Sequence, residues 1–469
     1  MAGPDSRPPV PAAIRLVYSL PAAPLAALGL PLYAFVPTYY TETIGLPLAA
    51  VGFTLLIVRL FDAISDPVVG VLADRFRPRM GRRKLWFALS LPFAALAAFM
   101  LYSPPDDATT LWLGSWGAML SLGFTLAVVP YSAWGAELIS DYRGRTSLAA
   151  MREALTLVGT LIAIVLPFAV GARSDTSLPG LGLLGTFVAI SLPLAGALAI
   201  WKVPEPRLPP ETRLAFGKGL RMIAANKPLR RLVSAFFLNG FANGIPATLF
   251  LYFVSDRLGL AEARGPLLFV YFLSGIAGIP LATWAAGRAG KHRAWCWAML
   301  AACGAFAFAP MLEVGSIKAF GAICVFTGLM LGFDLALPPA IQADVIDADT
   351  DMSGEARGGI YFAAWGLATK ASLAAGVGLV FPILAAFGFE ASGGTQNTQT
   401  ALTALAVTYA WIPIALKLCA IGLMWNFPLD EEAQKALQLR IQALTIPPGA
   451  ASPDGDDPRA GVPASRSPG

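Results

Sequence analysis

The sequence predicts an all-α membrane protein, with twelve transmembrane helices in two six-helix, pseudo-symmetric halves. Two observations carry the class. Of 469 residues, 56% are hydrophobic and only 13% are charged, where soluble domains hold about 25% charged residues. Mean hydropathy is +0.63. No soluble globule has enough interior to hide that much apolar surface. The apolar runs, such as 85–101 and 181–201, are also unbroken. Barrel strands alternate apolar and polar residues over about ten positions, whereas a helix needs about 20 apolar residues to cross the bilayer.

The elements follow in chain order. Residues 1–13 are rich in Pro and polar residues, and no small-residue cleavage pattern follows the first apolar run. A signal peptide is therefore not expected, and the mature chain should begin at or near Met1. The twelve spans are expected at 16–40, 48–74, 85–102, 111–138, 152–172, 181–201, 232–255, 266–287, 294–313, 318–341, 358–388 and 401–425. With both termini inside, about 27 of the 34 Lys and Arg face the cytoplasm. Arg173, Arg257, Arg264 and Lys318 fall outside, while Arg59, Lys370 and Lys417 lie within spans. That asymmetry sets the orientation by the positive-inside rule.

The expected divisions are a cytoplasmic segment 1–15, a first half 16–201, a basic linker 202–231, a second half 232–425 and a cytoplasmic tail 426–469. The linker reads as a solvated topogenic loop. Residues 430–444 suit a short amphipathic helix, and 446–469 have the composition of disorder. The two halves echo each other. Gly81-Arg82-Arg83-Lys84-Leu85-Trp86 follows span two, and Gly290-Lys291-His292-Arg293-Ala294-Trp295 follows span eight.

Several function classes drop out. The net charge of +5 is explained by topology, so no nucleic-acid partner is expected. Cys296, Cys303, Cys324 and Cys419 all lie in apolar runs and read as small core residues. His292 is the sole histidine, and no nucleotide-binding, zinc or hydrolase motif occurs. Neither an enzyme nor a cofactor is expected.

The chemistry lies in charges placed inside spans. Span two reads Arg59-Leu-Phe-Asp62-Ala-Ile-Ser65-Asp66-Pro67. Asp62 and Asp66 share one helix face at i and i+4, with Ser65 beside them. A carboxylate at the bilayer centre costs about 2.5–3.5 kcal/mol on insertion scales. A cation or proton site would offset that cost, and so would structural neutralisation by Arg59, Lys370 or Arg152.

The flanks run Asp62-x3-Asp66-Pro67-x2-Gly70-x3-Asp74-Arg75-x5-Gly81-Arg82-Arg83. This pattern resembles the glycoside–pentoside–hexuronide:cation symporter family of the major facilitator superfamily, the melibiose permease-like transporters, over roughly residues 14–425. The resemblance implies sodium or proton binding at Asp62, Ser65, Asp66 and Thr125, the last lying shortly before Pro130-Tyr131. It implies a cavity Arg at Arg152 and a cavity Lys at Lys370, which would pair with Asp62 or another cavity acid when no cation is bound. A cytoplasmic gate would use Asp74, Arg75, Arg82 and Arg83 with Asp141, Arg143 and Arg145. Ser65 stands where the melibiose transporter has an amide, which makes proton coupling more credible.

The departures concern the solute. The carboxylates that grip sugar hydroxyls on spans one and four fall here near Leu25, Ala26 and Val128, so galactoside transport is not expected. Asp334, Asn239, Asn243 and Trp134 are the replacement candidates for solute contact. Pro21, Pro24, Pro31 and Pro37 predict a bent span one lining a cavity. Gly328 and Gly332 predict close helix packing.

The resulting expectation is a cation-coupled transporter working by alternating access in a bacterial inner membrane, functional as a monomer, with a sugar or glycoside as default solute. Relatives that resemble this family in the span-two acids move lysophospholipids, which keeps an amphipathic solute open. A non-transporting sensor or scaffold is the remaining alternative.

Overall fold

The computed structural model describes residues 10–75, 81–139, 142–169, 178, 180–205, 226–353, 358–391 and 397–428. Twelve helices among them are long and apolar enough to cross a membrane. Spans one to six are Ala12–Ala34, Leu48–Ser65, Arg83–Tyr102, Thr110–Gly135, Ser147–Phe168 and Leu181–Lys202. Spans seven to twelve are Lys227–Arg257, Ala261–Ala289, Lys291–Met311, Ile317–Asp349, Ala364–Ala386 and Gln399–Met424. The expected helix at 430–444, the tail at 446–469 and linker residues 206–225 lie outside the described residues.

Span one is segmented where its prolines cluster. It runs as Ala12–Ser19, Ala22–Gly29, Pro31–Ala34 and Val36–Thr38, then widens into a π-helical turn at Tyr39–Thr43. Each Pro removes a backbone donor and clashes with the preceding turn. Most other spans are single helices, and several open on side-chain caps. Thr109 accepts from the amide of Trp112, Asn226 from Leu229 and Thr398 from Ala401, satisfying donors that a helix start leaves unpaired.

The repeated hexapeptide forms the same turn twice. Gly81 and Gly290 both hold positive φ, 111° and 79°, which an L side chain resists. Each starts a helix, Arg82–Tyr102 and Lys291–Phe306. In the first copy Glu205 caps the helix, accepting from the amides of Arg83 at 2.8 Å and Lys84 at 3.1 Å. In the second, the Lys291 ammonium lies 2.7 Å from both oxygens of Asp344. These two turns mark the basic end of the bundle.

Apolar side chains such as Phe53, Ile64, Leu194 and Trp201 point outward and stay exposed. That is costly in water and ordinary against lipid. Spans eight and ten touch backbone to backbone, because a Cβ at Gly328 would strike the Tyr271 carbonyl and one at Gly332 the backbone of Gly278. The small-residue pair thus serves packing inside the chain.

Candidate functional site

Asp62 lies at the meeting of spans two, four and eleven and is 3% exposed. Its Oδ1 accepts from the Lys370 ammonium at 2.8 Å and from the Thr125 hydroxyl at 3.2 Å. Lys370 also donates to Thr125 Oγ1 at 3.4 Å. On the other side, Arg59 Nη1 stands 3.8 Å from Asp62 Oδ2. Ser65 is buried, and its hydroxyl donates to the main-chain carbonyl of Asp62 at 3.0 Å. The side chain of Asp66 lies outside the described residues.

Lys370 reaches Asp62 because spans two and eleven run antiparallel in one register. A Cβ on Gly52 would lie 2.7 Å from the Phe381 Cβ, and one on Gly378 would lie 2.6 Å from Leu56. The two glycines let the helices close, and the next matched level is Asp62 with Lys370. Both charges are then shielded from bulk water. Breaking such a pair from one side costs about 3–5 kcal/mol.

A second polar cluster lies within spans seven, nine, ten and twelve. Asp334 accepts from Trp295 Nε1 at 2.6 Å and from Asn243 Nδ2 at 2.8 Å. Lys417 donates to Asn239 Oδ1 at 2.6 Å and stands 3.5 Å from Asp334 Oδ2. The three candidates Asp334, Asn239 and Asn243 are therefore brought together, and Asp334 has partners that its sequence neighbourhood does not reveal. Lys417 and Trp295 complete the cluster, although sequence reading does not single them out for it. Lys417 is open to the same physical signal as Lys370, an ammonium deep in an apolar span. Trp295 closes the second hexapeptide repeat, which marks it as a recurring residue but not as a donor.

Above this cluster is an open-sided cavity lined by residues of spans one, seven, eight, nine, ten and twelve. Its floor includes Asp334, Asn243 and Lys417, its walls are mainly aromatic and aliphatic, and Leu30, Tyr33 and Ala34 of span one close one side.

Two candidates are placed elsewhere. Trp134 is fully buried, donates to the Pro204 carbonyl at 3.0 Å and packs edge-on to Tyr18, with Phe87 beside it. These contacts give it a packing role. Arg152 is partly exposed, bonds its neighbour Glu153 at 3.1 Å and lies beside the Tyr18 hydroxyl. Of the expected gate, Arg83 is buried, and its backbone is held by Glu205. The side chains of Asp74, Arg75, Arg82, Asp141, Arg143 and Arg145 lie outside the described residues.

At the end opposite the basic turns, the first and last six spans are joined by contacts that loop-level reading overlooks. Arg264 grips Glu42 with two hydrogen bonds of 3.0 Å, both side chains being buried. Beside them the Thr41 and Tyr252 hydroxyls meet at 2.7 Å. Sequence reading places Glu42 and Arg264 in outer loops, and no local motif links residues 222 positions apart.

A family model described as MFS/sugar transport protein matches residues 17–431. The chain belongs to this major facilitator family. The inner membrane symporter YicJ of Escherichia coli K12 is 28% identical over 374 residues, covering 77% of this chain and 80% of YicJ. The human sodium-dependent lysophosphatidylcholine symporter 1 is 24% identical over 485 residues, covering 92% and 88%. Among solved structures, a point mutant of the nucleoside transporter NupG aligns with a TM-score of 0.65 at 14% identity, over 87% of this chain and 99% of NupG. That last likeness concerns the fold alone. Within the major facilitator fold, Asp62 and Lys370 come from opposite six-helix halves, while Asp334 and Lys417 both belong to the second.

Proposed function

We propose that this chain is a secondary active transporter that couples a cation, sodium or proton, to movement of a small organic solute by alternating access. The observation that carries the reading is the Asp62–Lys370 pair between the halves, with Thr125 on the same carboxylate oxygen. A cation arriving at Asp62 competes with the Lys370 ammonium for that oxygen. Binding would release Lys370, neutralise the acid and remove one tie between the halves. Asp62, Ser65, Asp66 and Thr125 form the proposed cation site, supplying oxygen donors that suit a hard cation. The Glu42–Arg264 and Thr41–Tyr252 contacts would then hold the far end shut while the basic end opens.

The relatives' names support both cation coupling and two solute classes. A sugar or glycoside is the default from the family description. An amphipathic solute such as a lysophospholipid is favoured by one specific observation, the largely apolar walls of the cavity. We also place the protein in an inner membrane with both termini cytoplasmic, from its charge asymmetry and the inner-membrane relative.

The test is the thermal stability of the purified protein against sodium at constant ionic strength, with potassium as control and Asp62→Asn alongside. Ligand at about 100 times its dissociation constant stabilises by roughly 2.7 kcal/mol. A sodium-specific shift that vanishes in the mutant supports sodium coupling. A pH-dependent shift without a sodium effect assigns the proton. If neither ion stabilises the wild type, the coupling reading fails.

A further inference from the structure

Span four carries an oxygen that the proposed cation site does not yet use. It meets span two along one stripe. A Cβ on Gly114 would lie 3.1 Å from the Thr54 side chain, and one on Gly117 would lie 3.3 Å from Val58. Farther along, the Thr125 hydroxyl donates to Asp62 at 3.2 Å. Positions 114, 117, 121 and 125 recur every three or four residues, so they share one helix face. Ser121 therefore stands on the face that meets span two, one turn from Thr125 and between the Val58 and Asp62 levels.

Ser121 is 3% exposed, and its Oγ has no hydrogen-bond partner among the described residues. A hydroxyl inside a helix can donate to a carbonyl one turn back. Ser115 on the same span does so to Leu111 at 2.8 Å, Thr248 to Gly244 at 2.9 Å and Thr327 to Ile323 at 2.7 Å. Ser121 does not take that bond. A buried polar atom left unpaired is costly, and the glycines at 114 and 117 show that this stripe accepts residues without one. The unspent oxygen lies one turn from Thr125, on the face that meets a buried carboxylate whose Oδ1 is shared by Thr125 and Lys370. Hydroxyl and carboxylate oxygens are the ligands that a hard cation gathers, several at a time, whereas a proton needs a single acceptor.

We infer that Ser121 is a further ligand of the coupling ion and that it favours a metal cation over a proton. Its Oγ joins those of Ser65 and Thr125 and the carboxylate of Asp62, so that spans two and four hold the ion between them. In this structure the Lys370 ammonium occupies Asp62 Oδ1. When the ion displaces that ammonium, Ser121 gains the partner that it lacks. Removing its oxygen therefore has two opposite consequences. The ion-free protein loses an unpaired buried atom, and the ion-bound protein loses a ligand. A hydroxyl kept for packing alone gives neither. The inference rests on the cation-coupled reading and deepens it, by tying the chemical class of the ion to a residue that the sequence pattern does not include.

The experiment measures the unfolding temperature of the purified full chain against sodium and lithium at constant ionic strength, and against pH without either ion. Wild type, Ser121→Ala, Ser121→Cys and Ser115→Ala are compared. Ser121→Cys keeps the side-chain volume and replaces the oxygen with sulfur, a soft atom that suits a hard cation poorly. Both Ser121 variants should raise the half-saturating sodium concentration about tenfold, the loss expected for one interaction with a charged group. Without metal ions they should unfold at or above the wild-type temperature, with the wild-type pH profile. Ser115→Ala should leave the sodium response unchanged. An unchanged sodium response in both Ser121 variants overturns the inference and leaves the cation reading standing. A Ser121→Ala protein that is less stable without ions yet binds sodium normally overturns it as well, since that is the mark of a structural hydroxyl. Should Ser121→Ala fail to fold, Ser121→Cys decides by the same two readouts. A wild type that responds to pH but to neither metal ion overturns the inference and leaves proton coupling. A wild type that responds to none of the three removes both readings.

Discussion

Two carboxylate–lysine pairs lie inside the same bundle and are built on different terms. Asp62 and Lys370 meet at 2.8 Å across the two halves. Asp334 and Lys417 stand 3.5 Å apart within one half, each held more closely by neutral partners. In the first pair the ammonium contacts the carboxylate directly, so any motion of the halves must break or replace that bond. In the second, neutral N–H donors already hold the carboxylate, and the lysine can answer a ligand without leaving the acid bare. Under the proposed reading the difference is a division of labour. The pair between halves suits coupling, and the pair within a half suits recognition.

The largest effect that would break this contrast is expected at Lys370. Lys370→Ala leaves Asp62 buried beside Thr125 and the more distant Arg59. It should lose about 3–5 kcal/mol, the usual consequence of removing one partner of a buried pair. Thermal unfolding reads the stability, and proteoliposome uptake should fall to near background. A loss no greater than that of Lys417→Gln would erase the distinction between the pairs.

Next comes Lys417→Gln, for which we expect a smaller stability loss of about 1–2 kcal/mol, because Asp334 keeps Trp295 and Asn243. The check is the same unfolding measurement, made alongside the Lys370 variant. A double variant of Lys370 and Lys417 should show additive losses, since the two clusters are built from different side chains. A non-additive result would mean that the two sites communicate.

Glu42→Gln sharpens the comparison at the far end. It removes one charge from the buried Glu42–Arg264 pair, so about 1–3 kcal/mol of closure should be lost. Spin labels at Ala49→Cys and Glu262→Cys on a Cys419→Ser background should then report a broader, longer distance distribution. An unchanged distribution would show that the Gly52–Phe381 and Thr41–Tyr252 contacts suffice. The smallest effect is expected for Trp134→Phe, which removes one hydrogen bond to the Pro204 carbonyl. It should cost about 0.5–1.5 kcal/mol and leave solute affinity unaltered in a binding titration. A tenfold loss of affinity would return Trp134 to the solute path.

Much of this architecture is legible in the sequence, for identifiable reasons. A span needs about 20 apolar residues, so each span shows itself in a local window. A proline removes one helix donor, which a span with a single proline absorbs, as Arg82–Tyr102 does at Pro92, whereas Pro21, Pro24, Pro31 and Pro37 crowd four such losses into span one and segment it. Ionisable side chains within spans stand out by their cost, which picks out Asp62, Lys370 and Asp334 in turn. Trp134 is ambiguous in sequence because an aromatic side chain in a span has the same local pattern whether it packs or binds. Its contact with Pro204, 70 positions along the chain, is visible only in the fold.

The sequence by itself thus determined the spans, the basic end and the set of buried charges, because hydropathy and desolvation act on each residue where it stands. Tertiary structure decided the partners. Lys370 lies 308 positions from Asp62, and Lys417 lies 83 from Asp334. An ion pair is worth what its distance and surroundings make it, and those exist only once the helices have packed.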